Sequence, residues 1–243
     1  MAETVVVSAF FKIPSKQPYS VYIEHLNRWF RSIRCPVIFF TTPDIWEDIL
    51  SMGHDVSHIK VRYETIDEWK AWELGRAFWD RQQSRDTETY HTTELAAIWY
   101  EKKEFVKRAF EINDASVFIW CDAGCVRDDE SEGAMKEFGL RNFPLNDGRI
   151  HVQHIREQPY KPWYVHPEYR YAGAIIAGNR NAWVHFDDIY RRVLYEYDVY
   201  DISCNSDQYI MASCKDREPA FFYEHMPHPN DTINEWFFLL SRL

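Results

Sequence analysis

The chain has 243 residues, of which 46% are hydrophobic and 17% aromatic, with ten tryptophans. That is enough apolar surface for a sizeable core, so disorder is excluded and the length suits one large α/β domain. With 28 Lys and Arg against 38 Asp and Glu the net charge is -10, which excludes the broad phosphate attraction behind most nucleic-acid binding; no nucleic-acid partner is expected.

The first residues, MAETVVVSAFFKIP, lack a basic leader and carry too short an apolar run for a signal peptide, and no later stretch approaches a membrane span. The five cysteines, Cys35, Cys121, Cys125, Cys204 and Cys214, are odd in number and scattered, unlike a disulfide framework. A reducing, cytoplasmic setting follows as the expectation.

Two strand-like runs open the chain, residues 4–11 and 36–42. Between them Val21, Ile23, Leu26, Trp29 and Phe30 recur at helical spacing. Near-continuous apolar strands alternating with helices predict a mostly parallel sheet covered on both faces, and such sheets bind ligands at the carboxyl ends of their strands.

Residues 91–113 form the strongest helical pattern, with Thr92 or Thr93 as cap and Glu94 in the first turn. Its apolar stripe runs through Leu95, Ile98, Trp99, Phe105, Val106, Ala109 and Phe110, and one heptad after Leu95 comes Lys102. Two readings stand: the stem snorkels to an edge, or the ammonium points into a site that holds an anion.

Val117 to Cys121 follows as a strand, which puts Asp122 at its carboxyl end, followed by the small residues Ala123 and Gly124. Beyond it the pattern predicts a loop over 142–170, a strand over 171–179, a helix over about 182–197 and a strand over 219–226. The apolar C-terminus, NEWFFLLSRL, suits either a helix docked on its own core or peripheral contact with a membrane or partner. Only eight glycines are present and neither usual glycine-rich phosphate cradle occurs. A bound nucleotide would need another counter-ion, and carboxylates at strand ends suit Mg²⁺ or Mn²⁺.

The stretches VVVSAFFKI, YHTTELAAIWYEKKEFVKRAFEIN, FIWCDAGCVRD, YAGAIIAGN and SDQYIM together resemble the HtrL/YibB-type (WlaTC/HtrL) glycosyltransferases, nucleotide-sugar transferases of GT-A type. The resemblance covers most of the chain. It implies a single GT-A-like domain whose nucleotide-binding half is 1–125 and whose acceptor and catalytic half is 126–243. The implied activity is transfer of a sugar from a nucleotide-diphosphate donor, UDP-linked, to a glycan hydroxyl with Mn²⁺ or Mg²⁺.

On that resemblance Asp122-Ala123-Gly124 takes the place of the D-x-D motif, with Gly124 where a second aspartate would stand. A metal would then need a further ligand, His225 or His228. The same resemblance assigns the donor to Ser8, Ala9, Phe10, Phe11, Lys12 and Lys102, and gives Asp207, beside Gln208, the part of general base if the reaction inverts. Gly173 would let the donor sugar lie against the backbone. Trp163, Tyr164 and His166 offer aromatic faces for an acceptor. Asp128 and Asp129 read as a charged turn, and Cys121 as core filling. Two other readings stand beside the transferase: an inactive carbohydrate-binding protein on the same fold, and a nucleotidyltransferase.

Overall fold

A computed structural model describes residues 3–141, 143–155, 170–204 and 206–243. Seven strands form one sheet in the order β3-β2-β1-β4-β6-β5-β7. They are β1 (Thr4–Ala9), β2 (Val37–Thr41), β3 (Ile59–Tyr63), β4 (Val117–Cys121), β5 (Ile150–His154), β6 (Tyr171–Asn179) and β7 (Phe222–His225). The order 3-2-1-4 is that of a nucleotide-binding half of a doubly wound sheet.

All neighbouring pairs are parallel except those of β6, which runs against both β4 and β5. The mostly parallel expectation holds, and the reversal has a simple cause. β5 and β6 are consecutive, and consecutive antiparallel neighbours need no crossover helix; Ile155 N–H donates to the Arg170 carbonyl across their connection at 2.9 Å. Because β6 is reversed, its first residues lie beside the last residue of β4.

One face of the sheet carries α1 (Tyr19–Ser32), α2 (Pro43–Ser51), α5 (Asp129–Met135) and the C-terminus. The other carries α3 (Arg76–Arg85), α4 (Thr93–Ala109), α6 (Arg180–Val199) and α7 (Asp207–Arg217). Alternation along the strands divides the core accordingly: Val5, Val7, Phe118 and Trp120 face one layer, while Val6, Val117, Ile119 and Cys121 face the other.

Thr92 caps α4 by accepting from the Leu95 amide at 3.2 Å. The segment expected to be a loop over 142–170 contains β5. Its polar residues mask it, and each is buried with a partner: Gln153, for instance, donates to the Trp236 carbonyl and accepts from the Leu239 amide. The C-terminus is a 3₁₀ turn, Phe238–Ser241, not a helix. Phe238, Leu239, Leu240 and Leu243 are buried in the core, which corrects the expectation of a C-terminal membrane contact. Among the described residues no helix is long and apolar enough to cross a membrane.

Candidate active site

Asp122 follows β4 directly, and its amide donates to the Ala174 carbonyl of β6 at 2.8 Å. It opens into a cleft of about 570 Å³ over the carboxyl ends of β1 and β4. The cleft wall includes Ala9 at the end of β1 with Phe10, Phe11 and Lys12 after it, Trp99 and Lys102 from α4, and Asp122, Ala123 and Gly124 after β4. These are the strand-end positions that the sheet topology marks for a ligand. Most residues expected to hold a donor therefore do come together.

Ser8 does not line this cleft. Its hydroxyl is buried and donates to the Cys121 carbonyl at 2.6 Å, tying β1 to β4. The donor contact expected of Ser8 is corrected to a structural one, because an inward position on a central strand leaves its side chain no path to the opening.

Lys102 resolves the choice posed by the helical pattern. Its ammonium does not snorkel outward; it donates to Asp207 Oδ2 at 2.8 Å, to the Gly173 carbonyl at 2.9 Å and to Asp122 at 3.2 Å. Trp120 Nε1–H donates to Asp122 Oδ1 at 2.6 Å, the oxygen that also lies 3.2 Å from the Lys102 ammonium. Burial alone would pull the lysine pKa down, but the two carboxylates outweigh it and hold it above the ordinary value, so the side chain is charged. Burial pushes the Asp122 carboxyl up; Lys102 opposes this and the charge of Asp207 adds to it.

Asp207 begins α7 and is buried, with 9% of its side chain exposed against 36% for Asp122. It sits behind Lys102 and is not among the residues lining the cleft. Gly173 is explained by the same carboxylate: a Cβ there would stand 2.3 Å from Asp207 Oδ2. The room left by the missing side chain is filled by the chain itself, not left open for a sugar. Gln208 is half-buried and accepts from the Ser206 hydroxyl at 3.3 Å.

The histidines expected as further metal ligands are elsewhere. β7 lies three strands from β4, about 14 Å at the usual strand spacing. His225 is buried there in a chain of its own, His225 to His151 at 3.2 Å and His151 to Asp147 at 3.0 Å. His228 is exposed on the turn that follows, where its amide donates to Asp231. Among the described residues no three His, Cys, Asp or Glu side chains group as a metal site. The donor set of the described residues therefore does not fit a divalent ion: among them Asp122 is the one carboxylate that lines the cleft, and the position between it and Asp207 is taken by an ammonium.

Asp128 caps α5 and Asp129 pairs with Arg28, as a charged turn should. Cys121 and Cys125 are free, buried thiols 3.4 Å apart. Trp163, Tyr164 and His166 lie outside the described residues.

Sequence reasoning missed part of the wall: Tyr19, Tyr22, Arg127 and Phe237 also line the cleft. Lys12 stands over the Tyr19 ring at 4.7 Å and Arg127 over the Phe237 ring at 4.7 Å. Both cations are thus placed at the rim by aromatic residues, one nearby in sequence and one distant. Only the FKIPS turn, which must bend back over the sheet before α1, hinted that Tyr19 would face the strand ends.

No protein-family model matches the sequence. No curated protein matches it either. Among solved structures the chain is similar to a crystal structure of a glycosyltransferase involved in the glycosylation of the major capsid of PBCV-1, at 13% identity and TM-score 0.43 over 92% of this chain and 82% of that one. It is also similar to CMP:2-keto-3-deoxy-manno-octonic acid synthetase complexed with CTP, at 10% identity and TM-score 0.49 over 96% of this chain and 93% of that one. At these scores no residue role is taken from either.

Proposed function

We propose that the chain is a glycosyltransferase of GT-A type that moves a sugar from a nucleotide-diphosphate donor, UDP-linked, to a glycan hydroxyl, with the cleft between β1 and β4 as donor site. The observation that carries this reading is Asp122: a carboxylate at the end of a central strand, held by Trp120 and Lys102 and open to a large aromatic cleft. Phe10, Tyr19, Tyr22 and Trp99 supply ring faces for a base, and Asp122 accepts hydrogen bonds from ribose or sugar hydroxyls. Lys12 and Arg127 meet the diphosphate at the rim, where fixed cations stabilise the charge that grows on the leaving group. The resemblance to the HtrL/YibB-type enzymes adds the transfer chemistry.

A general base must reach the acceptor hydroxyl directly or through one water. Asp207 keeps that part on the resemblance alone; its geometry supports holding Lys102 in place. The glycan-binding alternative draws on Gly124, which leaves Asp122 the one carboxylate lining the cleft among the described residues.

A screen of UDP- and GDP-sugars for donor hydrolysis tests the reading. Wild-type turnover of one donor, reduced about 100-fold or more in Asp122→Asn with an unchanged circular dichroism spectrum, is expected. An Asp122→Asn variant with wild-type rates would sink it, and a chain that binds free glycan but turns over no donor would favour the alternative.

A further inference from the structure

Asp122 and Asp207 come from a strand end and a helix start 85 positions apart, and they converge on one ammonium. The convergence is built. Gly173 clears the space for the Asp207 carboxylate and supplies a third acceptor, its own carbonyl, to Lys102. Trp120 adds a second donor to Asp122 Oδ1. A divalent ion binding two such carboxylates would occupy the place where Nζ of Lys102 sits, so the two cations exclude each other.

Gly124 supports the same conclusion independently. A Cβ at Gly124 would meet nothing within 4 Å, so packing does not forbid the second aspartate of a D-x-D motif there. The chain instead places its positive charge in the wall as Lys102, with Lys12 and Arg127 at the rim.

We infer that Lys102 is the resident cation of this cleft, standing in for a divalent metal, and that the nucleotide diphosphate binds without one. This inference rests on the nucleotide-sugar reading of the cleft. Lys102 is here a positioning residue: it holds Asp122 as an oriented acceptor and balances its charge, while Lys12 and Arg127 face the phosphates.

Calorimetric titration of Mn²⁺ alone into the wild-type protein is the direct test, expected to show no saturable binding up to about 1 mM, the weak end of the range for carboxylate cation sites. UDP and GDP are then titrated with Mn²⁺ and with EDTA, and the affinity of whichever binds is expected to agree within about twofold. Saturable Mn²⁺ binding by the wild type, or a nucleotide affinity that rises tenfold or more with Mn²⁺, would overturn the inference while leaving the donor site in place. Failure of either nucleotide to bind would count against the donor reading instead, and the Mn²⁺ titration would still decide the part of Lys102.

Lys102→Met supplies a second readout. With the ammonium gone, the two carboxylates should take up the ion, so Mn²⁺ should raise the melting temperature of the variant and not of the wild type. A folded variant indifferent to Mn²⁺ contradicts the inference. If the variant does not fold, the wild-type titrations stand by themselves.

Discussion

Lys102 and Lys103 are consecutive residues of one helix, and both are buried among carboxylates, yet they do different work. Lys103 lies between α4 and α6, donating to Glu104 and pairing with Asp187, each at 2.9 Å, with the Tyr100 ring 3.5 Å below it. Lys107 and Arg191 close that network from outside. Its charges are matched on every side, and Lys103 pulls the Asp187 carboxyl well below the ordinary range against the upward push of burial. Lys102 belongs to a network that is closed on the Asp207 side and open to a cleft on the Asp122 side. A buried ion network therefore marks a site only where one of its members still faces a cavity. Burial and charge alone would have selected both lysines.

Removing the Lys102 ammonium leaves the buried Asp207 carboxylate without its cation, which costs about 3–5 kcal/mol, or a fall in melting temperature on the order of 10 °C for a chain of this size, whereas Asp187 and Glu104 keep Lys107 and Arg191 when Lys103 is removed. Lys102→Met should thus melt below Lys103→Met. Only the first should alter nucleotide binding per folded molecule; loss of binding in both variants would erase the distinction between the two networks.

Gly173→Ala should come next, because its Cβ would push against a carboxylate pinned by Lys102. Overpacking of this kind costs about 1–3 kcal/mol, read as a denaturant midpoint shift at constant slope. A neutral result would mean that Asp207 moves freely and that the site is less fixed than its hydrogen bonds imply.

A third chain runs from the exposed Asp147 to the buried His151 and His225 and should govern pH dependence rather than ligand binding. Burial pushes His225 down to about 3 from 6.5, with His151 adding to the shift. The folded chain holds the neutral ring, so its stabilisation is complete above pH 6.5 and is lost as pH falls towards about 3. Across that window the slope is about 1.4 kcal/mol per pH unit for one proton, and it should flatten in His225→Gln when chemical denaturation is followed against pH. An unchanged slope would remove His225 as its source. The smallest effect belongs to Gly124→Asp, whose side chain would enter open space; a stability change within about 0.5 kcal/mol is expected from its melting curve.

Much of the first 125 residues was legible because their signals are local. Apolar runs marked β1, β2 and β4, the Thr92 cap and helical stripe marked α4, and the position of Asp122 after a strand followed from the end of an apolar run. Lys102 was legible as an anomaly on an otherwise apolar face. What escaped depends on partners far away in sequence. β5 hides because its polar residues are satisfied by Asp147, by β7 and by the C-terminal turn, which composition does not reveal. Asp207 and Gly173 were singled out individually, but that one makes room for the other is a fact of packing. The resemblance offers His225 and His228 as further ligands beside Asp122; the sheet order, which sets β7 three strands from β4, has no local signal.

Titration of UDP and GDP into the wild-type protein beside the Asp122→Asn variant tests the central claim most directly. The account predicts saturable binding of one nucleotide by the wild type and at least tenfold weaker binding by the variant, about 1.4 kcal/mol or more. Equal binding by both proteins, or none by either, would contradict it and leave Asp122 as the residue that merely ends β4.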